Sequence, residues 1–263
     1  QVAVNVGPCP RNCLFCAFAA ENRVFEKPVE FPPGEVIASA KQLEEDGANA
    51  VVFMITAQYS FEKFFDITAQ VRAALKPETP MVANVGDFSA DQAKKLREIG
   101  FAGIYHAIRL GEGCDTDLDS RKRLETIENA QNAGLKVGTC VEPVGPEHSI
   151  EELVEKTIIT RDIEPCFSGS ARRIPIPGTE MAIRGQTPEA RMAHILAVVR
   201  LVLPTSVPGN CTHEPNVYGC AAGANQLWAE AGSNPRDTQE ETKDQRGMTV
   251  EACRTILWEA RWD

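Results

Sequence analysis

Long apolar runs and clusters of basic residues are both missing from this 263-residue chain. No stretch approaches the roughly 20 consecutive apolar residues that span a bilayer, so we expect no membrane insertion. Lysine and arginine total 27 against 37 aspartates and glutamates, for a net charge of −10. Because nucleic acids are bound by clustered basic side chains, a nucleic-acid partner is not expected. The length and the 43% hydrophobic content instead suit one large enzyme core.

An apolar leader is also missing, and the nine cysteines are an odd number. A disulfide framework usually uses an even number of cysteines in a small secreted chain. We therefore expect thiols or metal ligands in a reducing compartment, and we predict a cytoplasmic protein.

Three of the cysteines stand close together near the start of the chain. Cys9, Cys13 and Cys16 have a C-x3-C-x2-C spacing, just after the apolar run Val2 to Val6. Thiolates so closely spaced on a loop can converge on one soft metal centre, and three ligands leave a coordination position open for chemistry. The alternatives are a zinc knuckle without its fourth ligand or a chance cluster of thiols.

Short β-rich runs alternate with amphipathic helical stretches along nearly the whole chain. This succession predicts βαβ units, and eight units predict a (β/α)8 TIM-type barrel, with a doubly wound open sheet as the alternative. We expect one domain over 1–263, with a polar segment from Ser233 to Gly247 and a final helix near Thr249 to Ala260. The eight predicted strands are Val2 to Val6, Ala50 to Ile55, Met81 to Val85, Gly103 to Ala107, Lys136 to Val141, Cys166 to Ile174, Ser206 to Cys211 and Gln226 to Ala229.

Polar residues lie at or near the carboxyl ends of these predicted strands, where barrel enzymes place their catalytic groups. Burying such side chains inside a barrel without a role would be costly, so we expect them to converge on one mouth. They are Asn84, His106, Cys140, Glu142, Arg172, Arg173, Cys211 and His213.

The cysteine loop, with Phe15 before its third cysteine, resembles that of the radical S-adenosylmethionine (SAM) superfamily. The resemblance implies that Cys9, Cys13 and Cys16 ligate a [4Fe-4S] cluster, and that Phe15 contacts the adenine of SAM. It also implies an electron donor such as flavodoxin or ferredoxin, and a 5′-deoxyadenosyl radical that abstracts hydrogen from a small-molecule or carrier-bound substrate.

Further segments are similar to the branch that contains biotin synthase, the maturase of [FeFe]-hydrogenase and methylornithine synthase. Residues 141–147 resemble the fifth-strand motif beside the adenosine, and residues 173–179 the sixth-strand turn. Arg123 resembles the arginine that pairs with the methionyl carboxylate. The cosubstrate contacts expected from the resemblance and from the predicted mouth are Phe15, Asn84, His106, Arg109, Arg123, Glu142 and Arg173.

The chain departs from this branch at two places. Met54, Val82 and Gly138 occupy the positions where biotin synthase has the cysteines of its second cluster, which argues against ordinary biotin synthesis. Arg109 stands where relatives have an acidic residue near the ribose or the methionyl amine, and Glu112 is a candidate replacement.

A second metal centre is a further expectation. Cys140, Cys211 and Cys220 could bind an auxiliary iron–sulfur cluster, with buried structural thiols as the alternative. His213 and Glu214 suit acid–base chemistry, substrate contacts or a helix cap. We assign Cys140, Cys211 and His213 as candidate catalytic residues.

The sequence therefore predicts a radical SAM enzyme of cofactor biosynthesis that abstracts hydrogen from a small substrate. Sulfur insertion of the lipoyl or biotin type is favoured if an auxiliary cluster exists. The alternatives are carbon-skeleton rearrangement or fragmentation of a small carboxylate substrate, and a non-catalytic iron–sulfur or zinc-binding protein.

Overall fold

The structure, a computed structural model, describes residues 1–232, 234–236 and 248–262. Most of the predicted polar segment 233–247 therefore lies outside the described residues. The final helix is present at Val250–Glu259, close to its predicted bounds.

Parallel strands with intervening helices form the body of the molecule, which confirms the predicted (β/α)8 barrel. The described strands are β1 Val2–Ala3, β2 Asn5–Val6, β3 Val29–Glu30, β4 Val51–Met54, β5 Met81–Asn84, β6 Phe101–Tyr105, β7 Lys136–Gly138, β8 Val141–Val144, β9 Phe167–Arg172, β10 Gly209–Thr212 and β11 Gln226–Leu227. The described α-helices are α1 Pro33–Glu45, α2 Phe61–Ala74, α3 Ala90–Ile99, α4 Ser120–Asn132, α5 Ile150–Asp162, α6 Glu189–Val202, α7 Val217–Ala221 and α8 Val250–Glu259. A 3₁₀ helix covers Glu180–Arg184.

The strand order of the main sheet is β1-β4-β5-β6-β7-β9-β10-β11, with β8 also paired to β9. The two ends of this sheet meet, because Val2 forms a parallel bridge with Ala231. The Ala231 N–H also donates to the Gln1 carbonyl at 2.8 Å. This single bridge closes the barrel between its first and last strands.

Two predicted strands are divided in the structure. The first splits into β1, which lies in the barrel, and β2, which pairs antiparallel with β3. The fifth splits into β7 and β8. Cys140 lies between these two segments, so its side chain is positioned by strand pairing on both sides.

The helices begin and end where local chemistry favours it. Helix α3 begins with a capping box formed by Ser89 and Gln92, and it ends at Gly100, whose φ of 106° lies in the left-handed region. A capping box of Ser149 and Glu152 likewise begins α5. Helix α7, between the last two strands, is only 5 residues long. None of the described helices combines the length and the apolar character needed to span a bilayer.

The core lies between the helices and the sheet, with Phe53, Phe64, Leu96 and Phe101 buried at its centre. Two recesses enter the barrel. The first, called here the upper cavity, lies at the carboxyl ends of the strands, and its lining includes Phe15, Arg109 and His213. The second lies beside α1 and α8, and Gln1 and Trp228 line both recesses.

Candidate functional site

The cysteine loop follows β2 and is held by backbone and side-chain hydrogen bonds. The Cys9 N–H donates to the Phe18 carbonyl at 2.6 Å, and the Cys16 N–H donates to the Cys13 carbonyl at 2.8 Å. Asn22 crosses the loop, because its Nδ2 lies 3.4, 3.2 and 2.9 Å from the carbonyl oxygens of residues 13, 14 and 16. These contacts fix the loop before any ligand binds.

All three loop cysteines are free thiols of intermediate exposure. Burial raises the pKa of Cys13 to about 11, and burial also raises the pKa of Cys16. Ligation by a metal centre would deprotonate such thiols. Among the described residues, these three do not form a group whose ligand atoms all lie within 4.8 Å of one another. That spacing is wider than the ligand set of a single ion, and it suits a cluster in which each thiolate binds a different iron.

The upper cavity opens beside this loop, since Phe15 and Cys16 both line it. Most of the predicted cosubstrate contacts meet there, although they come from different strands. The predicted site residues in its lining are Phe15, Cys16, Asn84, Arg109, Glu142, Arg172, Arg173 and His213. Convergence on one mouth is therefore confirmed for these side chains, while their roles remain predictions.

A compact group of three metal-ligating side chains consists of His213, which lines this cavity, and two buried cysteines that do not. The sulfurs of Cys140 and Cys211 are 3.0 Å apart, and His213 Nε2 lies 3.8 Å from the Cys140 sulfur. We call these three residues the Cys–Cys–His triad. Among the described residues, this is the group of histidine, cysteine and acidic side chains whose ligand atoms lie within 4.8 Å of one another.

The charges around the triad depend on Glu142, whose Oε2 lies 3.4 Å from His213 Nδ1. Burial works against a charged imidazole, but this carboxylate raises the pKa of His213 above its usual range. Burial raises the pKa of Cys140, whereas hydrogen bonds from Cys140 and His213 outweigh burial and lower the pKa of Cys211. The carboxylate of Glu142 thus favours the charged form of the imidazole, and the thiolate form is favoured more at Cys211 than at Cys140.

Arg109 offers its guanidinium to the cavity, and its side chain is 23% exposed. Its Nε lies 3.6 Å from Glu142 Oε1. Burial acts to lower the pKa of Arg109, but the charge of Glu142 raises it above its usual range. A permanently charged, incompletely paired guanidinium is suited to bind a carboxylate.

Two predicted cosubstrate ligands, Arg123 and His106, do not line the upper cavity but lie buried beneath it. Arg123 bonds with Asp87, Glu112 and the Ala107 carbonyl at 3.0–3.2 Å. His106 Nε2 lies 3.1 Å from Asp87 Oδ1. These partners already occupy both side chains. The predicted convergence of His106 on the mouth is therefore not seen, and the carboxylate contact of Arg123 stays a prediction.

Arg172 and Arg173 are paired with acidic residues as well. Arg172 forms a forked pair with Glu214 and a second contact with Glu189 at 3.2 Å. Arg173 is 1% exposed and forms a forked pair with Glu147. Glu214 is thus bound to Arg172, so its predicted acid–base role would require this pair to open.

A match to a family model identifies the family to which the chain belongs. A model of the Radical SAM superfamily matches residues 7–158, which include the cysteine loop and more than half of the chain. The chain belongs to the radical SAM superfamily. It is similar to the biotin synthases of Anaplasma marginale (strain Florida), at 28% identity, and Desulforudis audaxviator, at 27%. Each alignment covers 86% of this chain, and 74% and 73% of the relatives.

The same branch contains solved structures with this fold. Methylornithine synthase superposes with a TM-score of 0.75 at 18% identity, over 90% of this chain and 73% of that one. The hydrogenase maturase HydG from Carboxydothermus hydrogenoformans has a TM-score of 0.75 at 13% identity, over 98% of this chain and 65% of that one. At such identities the likeness shows the fold of this radical SAM enzyme and no more.

The residues present fit the cofactors that the radical SAM family implies. Three free thiols on one braced loop match a [4Fe-4S] cluster, and Phe15 of the same loop lines the cavity that SAM would enter. The predicted auxiliary ligand Cys220 does not belong to the triad, because it is buried on α7 in an apolar cluster with Leu196 and Ala224.

Several site residues have signals in the sequence that are too weak to identify them. Asn22 lies in a loop without a motif, and Arg236 lies in the polar segment that precedes the final helix. Asp87 follows the end of β5 and carries the same positional signal as Asn84. Trp228 directly follows β11, and its ring centroid lies 5.0 Å from that of His213.

Proposed function

We propose that this radical SAM enzyme inserts sulfur into a small carboxylate-bearing substrate bound in the upper cavity. The observation that supports the proposal is the Cys140–Cys211 pair, whose sulfurs lie 3.0 Å apart and which contacts His213 in the lining of the cavity that Phe15 and Cys16 also line. Sulfur chemistry at a substrate carbon needs a sulfur-binding site within reach of the radical source. His213 connects the two, because it contacts the Cys140 sulfur and lines the cavity beside the cysteine loop.

Each group in this proposal has a defined task. Cys9, Cys13 and Cys16 would hold the [4Fe-4S] cluster, which together with SAM supplies a 5′-deoxyadenosyl radical. Arg109 would bind a carboxylate of SAM or of the substrate through a forked hydrogen-bond pair. The triad would hold the sulfur-bearing centre, for which an auxiliary iron–sulfur cluster is one form.

A rearrangement or fragmentation of a small carboxylate is the second candidate. Met54 lines the cavity at one of the three positions where the resemblance to biotin synthase leads one to expect a second-cluster cysteine. A thioether is a poor substitute for a thiolate that ligates a cluster iron, so the second-cluster arrangement of biotin synthase is not expected in this chain. Hydrogen abstraction without sulfur transfer would need only Arg109 and the cluster loop.

The proposal also covers partners and compartment. Reduction of the cluster would come from a one-electron donor such as flavodoxin or ferredoxin, and the substrate would be free or attached to a carrier. The nine free cysteines support a reducing, cytoplasmic environment.

An isotope experiment separates the two candidates. The enzyme is reconstituted anaerobically with ³⁴S-sulfide and given SAM, reduced flavodoxin and short saturated carboxylic acids such as octanoate. Sulfur insertion predicts a ³⁴S-labelled product from wild type. Cys140→Ser and Cys211→Ser should still form 5′-deoxyadenosine but no labelled product.

The controls test the cluster assignment as well. Serine at Cys9, Cys13 or Cys16 should abolish 5′-deoxyadenosine formation, because a hydroxyl is a poor iron ligand. Cys114→Ser, which changes an exposed thiol, should behave as wild type. If wild type instead forms isomers or fragments of the substrate without ³⁴S, sulfur insertion is ruled out and the second candidate, rearrangement or fragmentation, is supported.

A further inference from the structure

We infer that Cys140, Cys211 and His213 bind one soft divalent metal ion, Zn²⁺ or Fe²⁺, whose fourth coordination position opens into the upper cavity. Glu142 is the residue that positions His213 for this ion. The inference rests on the arrangement of these side chains, so it stands independently of the reaction proposed above.

The register of the sheet brings the two thiols together across an intervening strand. Cys211 pairs with Gly169 of β9, and Val141 pairs with Ser170 of the same strand. Cys140 therefore lies in the same row as Gly169 and Cys211. A Cβ at position 169 would lie 1.9 Å from the Cys211 carbonyl oxygen, and φ there is +150°, so only glycine fits. Glycine at this position allows β9 and β10 to approach closely in the row that carries both cysteines.

The distances fit a single ion. Two sulfurs on one tetrahedral zinc ion, each about 2.3 Å from it, lie about 3.8 Å apart. The observed 3.0 Å separation therefore needs to widen by less than about 1 Å. His213 Nε2, at 3.8 Å from the Cys140 sulfur, already has the ligand–ligand spacing of such a site.

A cubane cluster fits these ligands less well. Each thiolate of a [4Fe-4S] cluster binds a different iron, so its sulfurs stand well apart, as those of the cysteine loop do. The triad sulfurs are instead close enough to share one atom. Two thiolates and an imidazole are the donor set that zinc and ferrous iron favour.

Glu142 contacts the ring nitrogen of His213 that faces away from the sulfurs. Its Oε2 lies 3.4 Å from His213 Nδ1, which leaves Nε2 toward the sulfurs. A carboxylate on the outer ring nitrogen fixes the orientation of a metal-bound imidazole and raises its basicity. The rings of Tyr105 and Trp228, at centroid distances of 5.1 and 5.0 Å, confine His213 from two sides.

The open position would face the substrate. Both thiols are buried, whereas His213 and Glu142 line the upper cavity together with Arg109. Three protein ligands and one free position are the arrangement of catalytic rather than structural zinc sites. A thiolate, sulfide or carboxylate of a small molecule is the class of ligand that would bind there.

Metal binding tests the inference directly. The full chain with serine at Cys9, Cys13 and Cys16 is titrated anaerobically with Co²⁺ in the presence of a phosphine reductant, which keeps thiols free. We expect one Co²⁺ per chain, with thiolate-to-cobalt charge transfer and the intense visible bands of a tetrahedral site. In parallel, wild type with its loop cluster reconstituted is loaded with Zn²⁺ and analysed for zinc, in case the triple variant does not fold.

Matched variants locate the ion. Cys140→Ser and Cys211→Ser should each lose the charge-transfer band and the bound zinc, whereas Cys220→Ser, which changes a buried thiol outside the triad, should retain both. Glu142→Gln should weaken Co²⁺ binding roughly 10- to 100-fold while the bound ion keeps its thiolate charge-transfer band, as expected of a positioning residue.

Three results would overturn the inference. They are the absence of Co²⁺ and Zn²⁺ binding under reducing conditions, retention of the ion in both triad serine variants, and recovery of several irons with matching inorganic sulfide in the triple variant. The last result would assign a multi-iron cluster to the triad. None of these measurements depends on sulfur insertion, so they fail or succeed separately from the isotope experiment.

Discussion

At the scale of single residues, two arginines inside the barrel differ in what they contact. Arg123 braces the fold, whereas Arg109 faces the cavity. Arg123 is 4% exposed and joins Asp87 to Glu112, which come from different loops. Arg109 lines the cavity and is incompletely paired. Sequence similarity alone assigns the carboxylate contact to Arg123, but the structure offers Arg109 for the same task.

A pair of variants distinguishes the two arginines. Arg123→Ala leaves Asp87 and Glu112 as uncompensated buried charges, so its free energy of unfolding should fall by about 3 to 5 kcal/mol. Arg109→Ala should change stability much less and should weaken SAM binding. Urea unfolding and calorimetric SAM titration provide the two measurements, and an Arg123→Ala protein of wild-type stability would contradict the bracing role.

His106 makes the stability of the protein depend on pH. Burial, together with the charge of Arg123, lowers the pKa of His106 to about 3, although Asp87 acts to raise it. Burial acts to raise the pKa of Asp87, but His106 and Arg123 lower it to about 2. Below pH 6.5 the unfolded histidine binds a proton that the folded one does not, and below pH 3.8 the same holds for Asp87. The free energy of unfolding therefore falls as the pH falls. His106 contributes to this loss between about pH 6.5 and pH 3, and Asp87 contributes between about pH 3.8 and pH 2.

The histidine contribution can be isolated with His106→Asn, whose amide can still donate to Asp87. Between pH 7 and pH 4.5, wild type should lose about 2 to 3 kcal/mol more unfolding free energy than this variant. Urea unfolding at both pH values measures the difference. Parallel losses in the two proteins would show that His106 is not buried as a neutral ring.

At the scale of elements, the cysteine loop depends on Asn22 for its shape. Its amide bonds with three loop carbonyls, while its Oδ1 accepts from the Glu180 N–H at 3.1 Å. The side chain thus ties the loop to the 3₁₀ helix after β9. Removing these bonds should loosen the loop by about 1 to 3 kcal/mol.

Asn22→Asp is the informative variant, because aspartate keeps the acceptor for Glu180 but cannot donate to the carbonyls. We expect a folded barrel by circular dichroism and a lower iron content after reconstitution. Asn22→Ala should show at least the same loss. Full iron occupancy in both variants would mean that the backbone bonds of the loop suffice.

Some elements were predictable and others were not, for physical reasons. Alternation of β-rich runs with capped helices predicts the barrel because each βαβ unit is specified locally, and the C-x3-C-x2-C spacing marks its loop. The meeting of Cys140 with Cys211 depends on the register across β9 and on the missing side chain of Gly169. The partners of Arg123 and the position of Cys220 likewise depend on tertiary packing, which no local pattern specifies.

At the scale of the whole molecule, closure of the barrel is weak at one seam. The first and last strands meet through the Val2–Ala231 bridge, and residues 234–236 then reach the cysteine loop, where the Ala17 N–H donates to the Pro235 carbonyl at 2.9 Å. The end of the barrel and the radical source are therefore mechanically connected. A substrate in the upper cavity that contacts Pro235 or Arg236 would therefore contact a segment that is hydrogen-bonded directly to the cysteine loop.

Trp228 lines both the upper cavity and the recess beside α1 and α8. Its indole thus forms part of the wall between the radical chemistry and a second opening to solvent. A carbon-centred radical survives only while hydrogen-atom donors and dioxygen are kept away from it. The lifetime of such a radical, and with it the fraction of SAM cleavage that yields product, would accordingly depend in part on one ring directly after β11, where the last strand meets the first strand and the cysteine loop that follows it.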